Sequence, residues 1–138
     1  DIMPSILYAA AALALLTLFV YFLLTVLGVI ANSRGELSKD YSLTKTGTPP
    51  PAYIGNAGRN LVNLLELPVL FYALVAFHLA GQIDVSGLQL TLAWVFVGLR
   101  FLHTLIHITI NTLGLRFLVH RISAIVLAVM WVNFLLSL

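Results

Sequence analysis

The sequence predicts an all-α membrane protein built as a bundle of four transmembrane helices. Hydrophobic residues make up 61% and charged residues 9% of its 138 positions, far from the roughly 25% charged composition of soluble domains. The mean hydropathy is +1.05. Its apolar residues gather into long runs separated by polar or glycine-bearing breaks. At roughly 20 residues per helical crossing, a chain of this length suits about four spans in one domain.

The first run, 3–31, is an unbroken Leu/Ala/Val/Phe stretch relieved by Tyr21, Thr25 and Gly28. It exceeds the roughly 7–15-residue core of a signal peptide and lacks a basic leader, so it is expected to be a retained helix. The polar connection 32–54 holds Arg34, Glu36, Lys39, Asp40, Lys45 and the run Pro49-Pro50-Pro51. Proline forbids a continuing helix there and favours extended chain. The second run covers 55–80, with a start as early as Ala52. Gly81 closes it, and Pro68 loosens it by removing one backbone hydrogen bond. After a short turn whose one charge is Asp84, the third run covers 87–112 and the fourth 115–138, joined by a tight turn at Gly114. Short connections make the second, third and fourth helices antiparallel neighbours.

Basic residues orient the bundle. Arg34, Lys39, Lys45 and Arg59 flank the first connection and Arg116 and Arg121 the third, whereas the second has no Lys or Arg. The positive-inside rule then puts loops one and three in the cytoplasm and both termini across the membrane. A bacterial inner membrane and the endoplasmic reticulum are both candidate locations. A net charge of +2, scattered along the chain, points to no nucleic-acid partner, and membrane lipids are the expected surroundings. With no cysteine, any thiol chemistry must use a thiol from the substrate.

The functional signal is the set of ionisable residues inside these apolar runs, because charge in hydrocarbon is costly and usually faces a bundle interior. Arg59, Asn63 and Glu66 are spaced by four and three, on one helical face. Arg100, His103, His107 and Asn111 step by three, four and four, a second stripe. Arg116 and Arg121 form a basic pair at the start of the fourth run. At about 1.5 Å rise per residue, Glu66 lies roughly 12 Å deep, His107 roughly 9 Å, His103 roughly 15 Å and Arg100 roughly 20 Å. Glu66 is therefore level with the histidines and within reach of Arg100. One reading makes Glu66, Arg100 and His103 a neutralising structural network between the second and third helices. Interfacial snorkelling is the rival reading for Arg59 and Arg116. His78 and His120 stand outside the stripes and read as interfacial or packing residues, and the Tyr and Trp residues as belt or packing aromatics. His103 and His107 with Glu66 make a donor set able to hold zinc or iron. No HExxH pattern accompanies them and Arg100 one turn away repels a cation, so no metal is expected.

The segment Arg59-Asn60-Leu61-Val62-Asn63-Leu64-Leu65-Glu66-Leu67-Pro68 resembles the second-helix signature of the MAPEG family, the membrane-associated proteins in eicosanoid and glutathione metabolism. The segment order is similar too: a first helix ending at Ser33-Arg34, a loop with Thr46-Gly47-Thr48-Pro49-Pro50, then this helix. Gly98-Leu99-Arg100-Phe101-Leu102-His103 and the Leu115-Arg116 turn extend the resemblance over nearly the whole chain. The sequence departs from the family pattern at Leu61, at Leu67-Pro68, and at His107, where tyrosine is common.

The resemblance implies a homotrimer of four-helix subunits that binds glutathione in clefts between subunits. It also implies a transferase or peroxidase acting on a lipophilic small-molecule substrate, a lipophilic electrophile or a lipid hydroperoxide. Arg34 and Arg59 would hold the glutathione carboxylates, and Glu66 its ammonium. Asn63, His103 and His107 would meet its backbone. The thiolate partner would be Arg116, with Arg121 as the competing match. The alternative is a non-enzymatic scaffold or lipid-binding protein on the same fold, whose polar stripe only fixes helix packing.

Overall fold

Among residues 2–138, which a computed structural model of the protein describes, the chain is all helical. The elements are α1 Ile2–Ser33, α2 Lys39–Thr44, α3 Ala52–Glu66, α4 Pro68–Ala80, α5 Gly87–Ile108 and α6 Leu113–Leu136. Four stretches are long and apolar enough to cross a membrane, with α3 and α4 together forming the second, Ala52–Ala80. Leu67 joins them in right-handed helical geometry, φ −59° and ψ −42°. The axis therefore continues through the break, and Pro68 takes the first position of α4, where its missing N–H is least costly.

The ends of the elements differ from the sequence reading in two places. The first connection, read only as a polar segment with extended chain at Pro49-Pro50-Pro51, also contains α2, which Ser38 nucleates by accepting a hydrogen bond on Oγ from the Tyr41 N–H at 3.0 Å. The third span ends at Ile108 rather than 112, and the turn is made by Thr109 to Thr112 with Gly114 already inside α6. Asn111 makes this turn possible. It adopts φ +49°, a left-handed conformation that asparagine tolerates better than most residues, and its N–H donates back to the Ile106 carbonyl at 2.7 Å.

Packing centres on α5, which lies against α1, α3 and, most extensively, α6. Along α1, Ile6, Ala9, Leu13, Leu16 and Val20 are buried, alternating steps of three and four that keep one helical face toward the core. Phe71 of α4 stacks on Phe96 of α5 with ring centroids 5.0 Å apart and closes the middle of the bundle. At the end near loop two, Gln89 is a polar hub. Its amide nitrogen meets His78 Nε2 at 3.1 Å and the Met130 carbonyl at 3.1 Å, and its oxygen accepts from Asn133 at 3.0 Å. His78 Nδ1 is 3.0 Å from the Ile83 carbonyl, so that bond places the ring proton on Nδ1 and leaves Nε2 to accept from Gln89. This hub uses its own donors and acceptors to tie α4, α5 and α6 together.

Candidate functional site

The opposite end of the bundle carries a cleft of about 330 Å³ lined by residues of α3, α5 and α6. At its mouth two guanidiniums are held by neutral amides. Arg59 Nη2 donates to Asn56 Oδ1 at 2.6 Å, Asn111 Nδ2 donates to the same oxygen at 3.2 Å, and Arg116 Nη1 donates to Asn111 Oδ1 at 2.6 Å. The left-handed turn at Asn111 thus delivers the amide that joins Arg59 on α3 to Arg116 on α6. Neither arginine is paired with a carboxylate. Among the described residues, the one ion pair is Arg34 with Glu36 at 3.8 Å, outside the cleft.

Below the mouth stand His103, His107 and His120. The His103 ring centroid is 5.6 Å from those of both other histidines. Nδ1 of His103 and of His107 is buried without a hydrogen-bond partner, a costly condition. Among the described residues no group of three or more His, Cys, Asp or Glu side chains is arranged to hold a metal ion.

Behind the cleft lining lies Arg100, whose side chain is completely buried. Its Nη1 donates to His120 Nδ1 at 3.0 Å and reaches Ser123 Oγ at 3.5 Å, and its Nη2 donates to the Asn63 carbonyl at 3.1 Å. That carbonyl lies among the last four of α3, at the end of its helix's own hydrogen-bond ladder. Because His120 Nδ1 accepts, its ring proton sits on Nε2, a donor that the cleft-lining ring retains. Beside the cleft, Asn60 and Thr104 exchange hydrogen bonds of 3.2 and 3.3 Å in a buried pair that locks α3 to α5.

Arg59, Asn63, His103, His107 and Arg116 come together on this cleft. Arg34 and Glu66 do not line it, and Arg121 is exposed outside it. The expected network of Glu66 with Arg100 and His103 is corrected by the structure. Glu66 is exposed on the outer face of α3, while Arg100 turns to neutral acceptors on α6 and on the α3 backbone. The spacing argument placed Glu66 on the Arg59 and Asn63 face, but the buried face of α3 is that of Ile54, Ala57, Asn60 and Leu64, and Glu66, two residues after Leu64, lies about 200° around the helix from it. Asn63 in turn serves the cleft partly through its carbonyl, which no side-chain pattern reveals.

Sequence reasoning missed Asn56 and His120. His120 had a usable signal, since Arg116, His120 and Ser123 step by four and three on one face of α6. Asn56 also had one, lying one turn before Arg59.

A model of the MAPEG family matches residues 6–136 of the chain. No curated protein and no solved structure matches it.

Proposed function

The chain belongs to the MAPEG family, and on that premise we propose that it is a membrane-bound glutathione-dependent transferase or peroxidase. Its substrates are lipophilic electrophiles or lipid hydroperoxides. The observation that carries this reading is the set of three guanidiniums, Arg59, Arg100 and Arg116, gathered around one cleft with no carboxylate among their hydrogen-bond partners. Such a cleft is strongly electropositive and favours an anion.

Glutathione fits this donor set in its anionic parts. Arg59 and Arg116 at the mouth suit carboxylate and thiolate groups, and the cleft-lining imidazoles of His103, His107 and His120 offer further hydrogen bonds. When bound, glutathione supplies the thiol, which is nucleophilic as the thiolate. Arg116 holds that anion, and Arg59 and Asn63 position the peptide. His103 and His107 contact its backbone, and Arg100 raises the positive potential from behind the lining.

The ammonium has no acceptor carboxylate inside this cleft. Glu66 and Arg34 are proposed to come from a neighbouring copy in a homotrimer. In support, Glu66 sits in an exposed strip of α3 and α4 with Val62, Leu65, Val69 and Leu70. A carboxylate facing lipid at that depth is costly until a partner covers it. Loops one and three are taken to face the cytoplasm, which puts the cleft with Arg59 and Arg116 at the cytoplasmic end of the bundle.

The test is turnover in detergent or liposomes with glutathione and a panel of lipophilic electrophiles and hydroperoxides. The wild type is expected to turn over at least one class, with Arg116→Gln inactive and Arg121→Gln unchanged. Absence of turnover together with absence of binding at millimolar glutathione would leave the scaffold reading in its place.

A further inference from the structure

A second cavity, of about 620 Å³, opens between α1, the first connection and the start of α3. Its size lies within the roughly 300–1,000 Å³ range of small-molecule sites. Glycine makes the space. A Cβ added at Gly28 of α1 or at Gly58 of α3, both of which line the cavity, meets no atom within 4 Å, so each glycine leaves open space on its helix there. The inner walls are apolar, from Leu24 on α1 and Ile54 and Val62 on α3.

The rim next to the first connection is cationic. Arg59 borders this cavity as well as the cleft, and Lys45 stands opposite it. Lys45 ends α2 in a left-handed conformation, φ +59°, which sets its ammonium 4.9 Å above the Tyr41 ring. Neither Lys45 nor Arg59 forms an ion pair with an acid among the described residues. The cavity therefore has an apolar interior running along two membrane-spanning helices and two uncompensated cations where the chain leaves the apolar run. That is the polarity profile of an anionic amphiphile lying in the bilayer, headgroup at the rim and tail between the helices.

We propose that this cavity binds an anionic membrane lipid, with Lys45 and Arg59 on its headgroup and the space beside Gly28 and Gly58 taking an acyl chain. The site shares Arg59 with the proposed glutathione cleft but is otherwise built from other residues, and its test reads lipid alone, without glutathione.

Native mass spectrometry of the detergent-purified protein is run with dioleoyl phosphatidylglycerol, with dioleoyl phosphatidylcholine, and with phosphatidylglycerol plus excess glycerol 1-phosphate. Phosphatidylglycerol adducts are expected to exceed phosphatidylcholine adducts and to resist glycerol 1-phosphate. One cation near a membrane surface is worth about 1 kcal/mol, which is about five-fold in affinity. Lys45→Gln should therefore lower the phosphatidylglycerol adduct by about five-fold, while Lys39→Gln, an exposed lysine outside the cavity, leaves it unchanged. Gly28→Leu and Gly58→Leu fill the acyl space and should abolish it.

Equal retention of phosphatidylcholine, or equal loss in Lys39→Gln and Lys45→Gln, would overturn the proposal. So would displacement by glycerol 1-phosphate, which would mean a headgroup site without a tail. Full retention in a folded Gly28→Leu protein would overturn it too. Lys45→Gln alters only an exposed side chain, so it decides the matter even where a filled variant fails to fold.

Discussion

At the residue scale, the decisive feature is that the arginines are positioned by neutral groups. Asn56 and Asn111 tether Arg59 and Arg116 without cancelling their charge. Two substitutions at Asn56 separate the two contributions. Asn56→Ala removes the tether but keeps the charge, and is expected to weaken glutathione binding by about five-fold through lost preorganisation. Asn56→Asp keeps the acceptor oxygens and adds a negative charge between the arginines, so its loss should be the larger, on the order of ten-fold or more. Titration calorimetry reads both, and an Asn56→Asp protein that binds as well as wild type would contradict the charge argument. Arg100→Met addresses the guanidinium behind the cleft lining. It loses hydrogen bonds but also relieves a buried charge, effects that largely offset one another, so thermal stability should change little. Anion affinity should fall on the order of ten-fold with the lost positive potential. If Glu66 neutralised Arg100, the affinity would hardly move. The spacings of Arg59, Asn63, His103, His107 and Arg116 made most of this cleft legible. The partners of Arg100 were not, because a backbone carbonyl at the end of α3 and a histidine on another helix leave no mark in its own stripe.

At the scale of elements, the spans were legible in existence and type but not in how they face one another. Residues 6–20 of α1 are apolar throughout apart from Thr17, so the buried set of Ile6, Ala9, Leu13, Leu16 and Val20 emerges only once α3, α4 and α5 are packed against it. The α5 to α6 turn was misplaced because Gly114 is the obvious breaker, whereas Asn111 supplies the left-handed residue. Two polar ties hold the packed helices, and they differ in what their loss leaves behind. Asn60→Ala strands only the Thr104 hydroxyl, which has its own helix's preceding carbonyls as alternative acceptors, and should cost about 1 kcal/mol. Gln89→Leu strands His78, the Met130 carbonyl and Asn133 together and should cost on the order of 3 kcal/mol. Thermal or denaturant unfolding in detergent should rank them in that order. Because Gln89 lies at the far end of the bundle, ligand affinity of the folded Gln89→Leu protein should be unchanged. The reverse ranking would mean that the Asn60 and Thr104 pair is the main lock.

At the scale of the whole molecule, the two ends of the bundle differ in charge and in how far their polar groups are paired. The Gln89 end pairs Gln89, His78 and Asn133 internally, leaving the Trp131 Nε1 without a partner, while the Arg100 end holds three guanidiniums without carboxylates and two imidazole nitrogens without partners. A bound anion should therefore stabilise the whole fold, raising the melting temperature with glutathione concentration in the manner of any ligand that binds only the folded state. The exposed Glu66 strip leads to an expected trimer in light scattering of the detergent-purified protein, with Glu66→Gln retaining assembly but weakening glutathione binding. Composition made the membrane setting legible, but a single chain's sequence does not say which apolar faces meet lipid and which meet another copy. The most direct test of the proposed chemistry is the ultraviolet absorbance of thiolate in glutathione bound at neutral pH, compared between wild type and Arg116→Gln. An adjacent cation lowers a thiol pKa from about 8.5, so the wild type should show bound thiolate at pH 7 that persists as pH falls by at least about one unit. Arg116→Gln should still bind glutathione, held by Arg59, but without that absorbance. Bound glutathione that stays a thiol in the wild type, or a thiolate signal undiminished in Arg116→Gln, would contradict the assignment of Arg116 as the thiolate's partner.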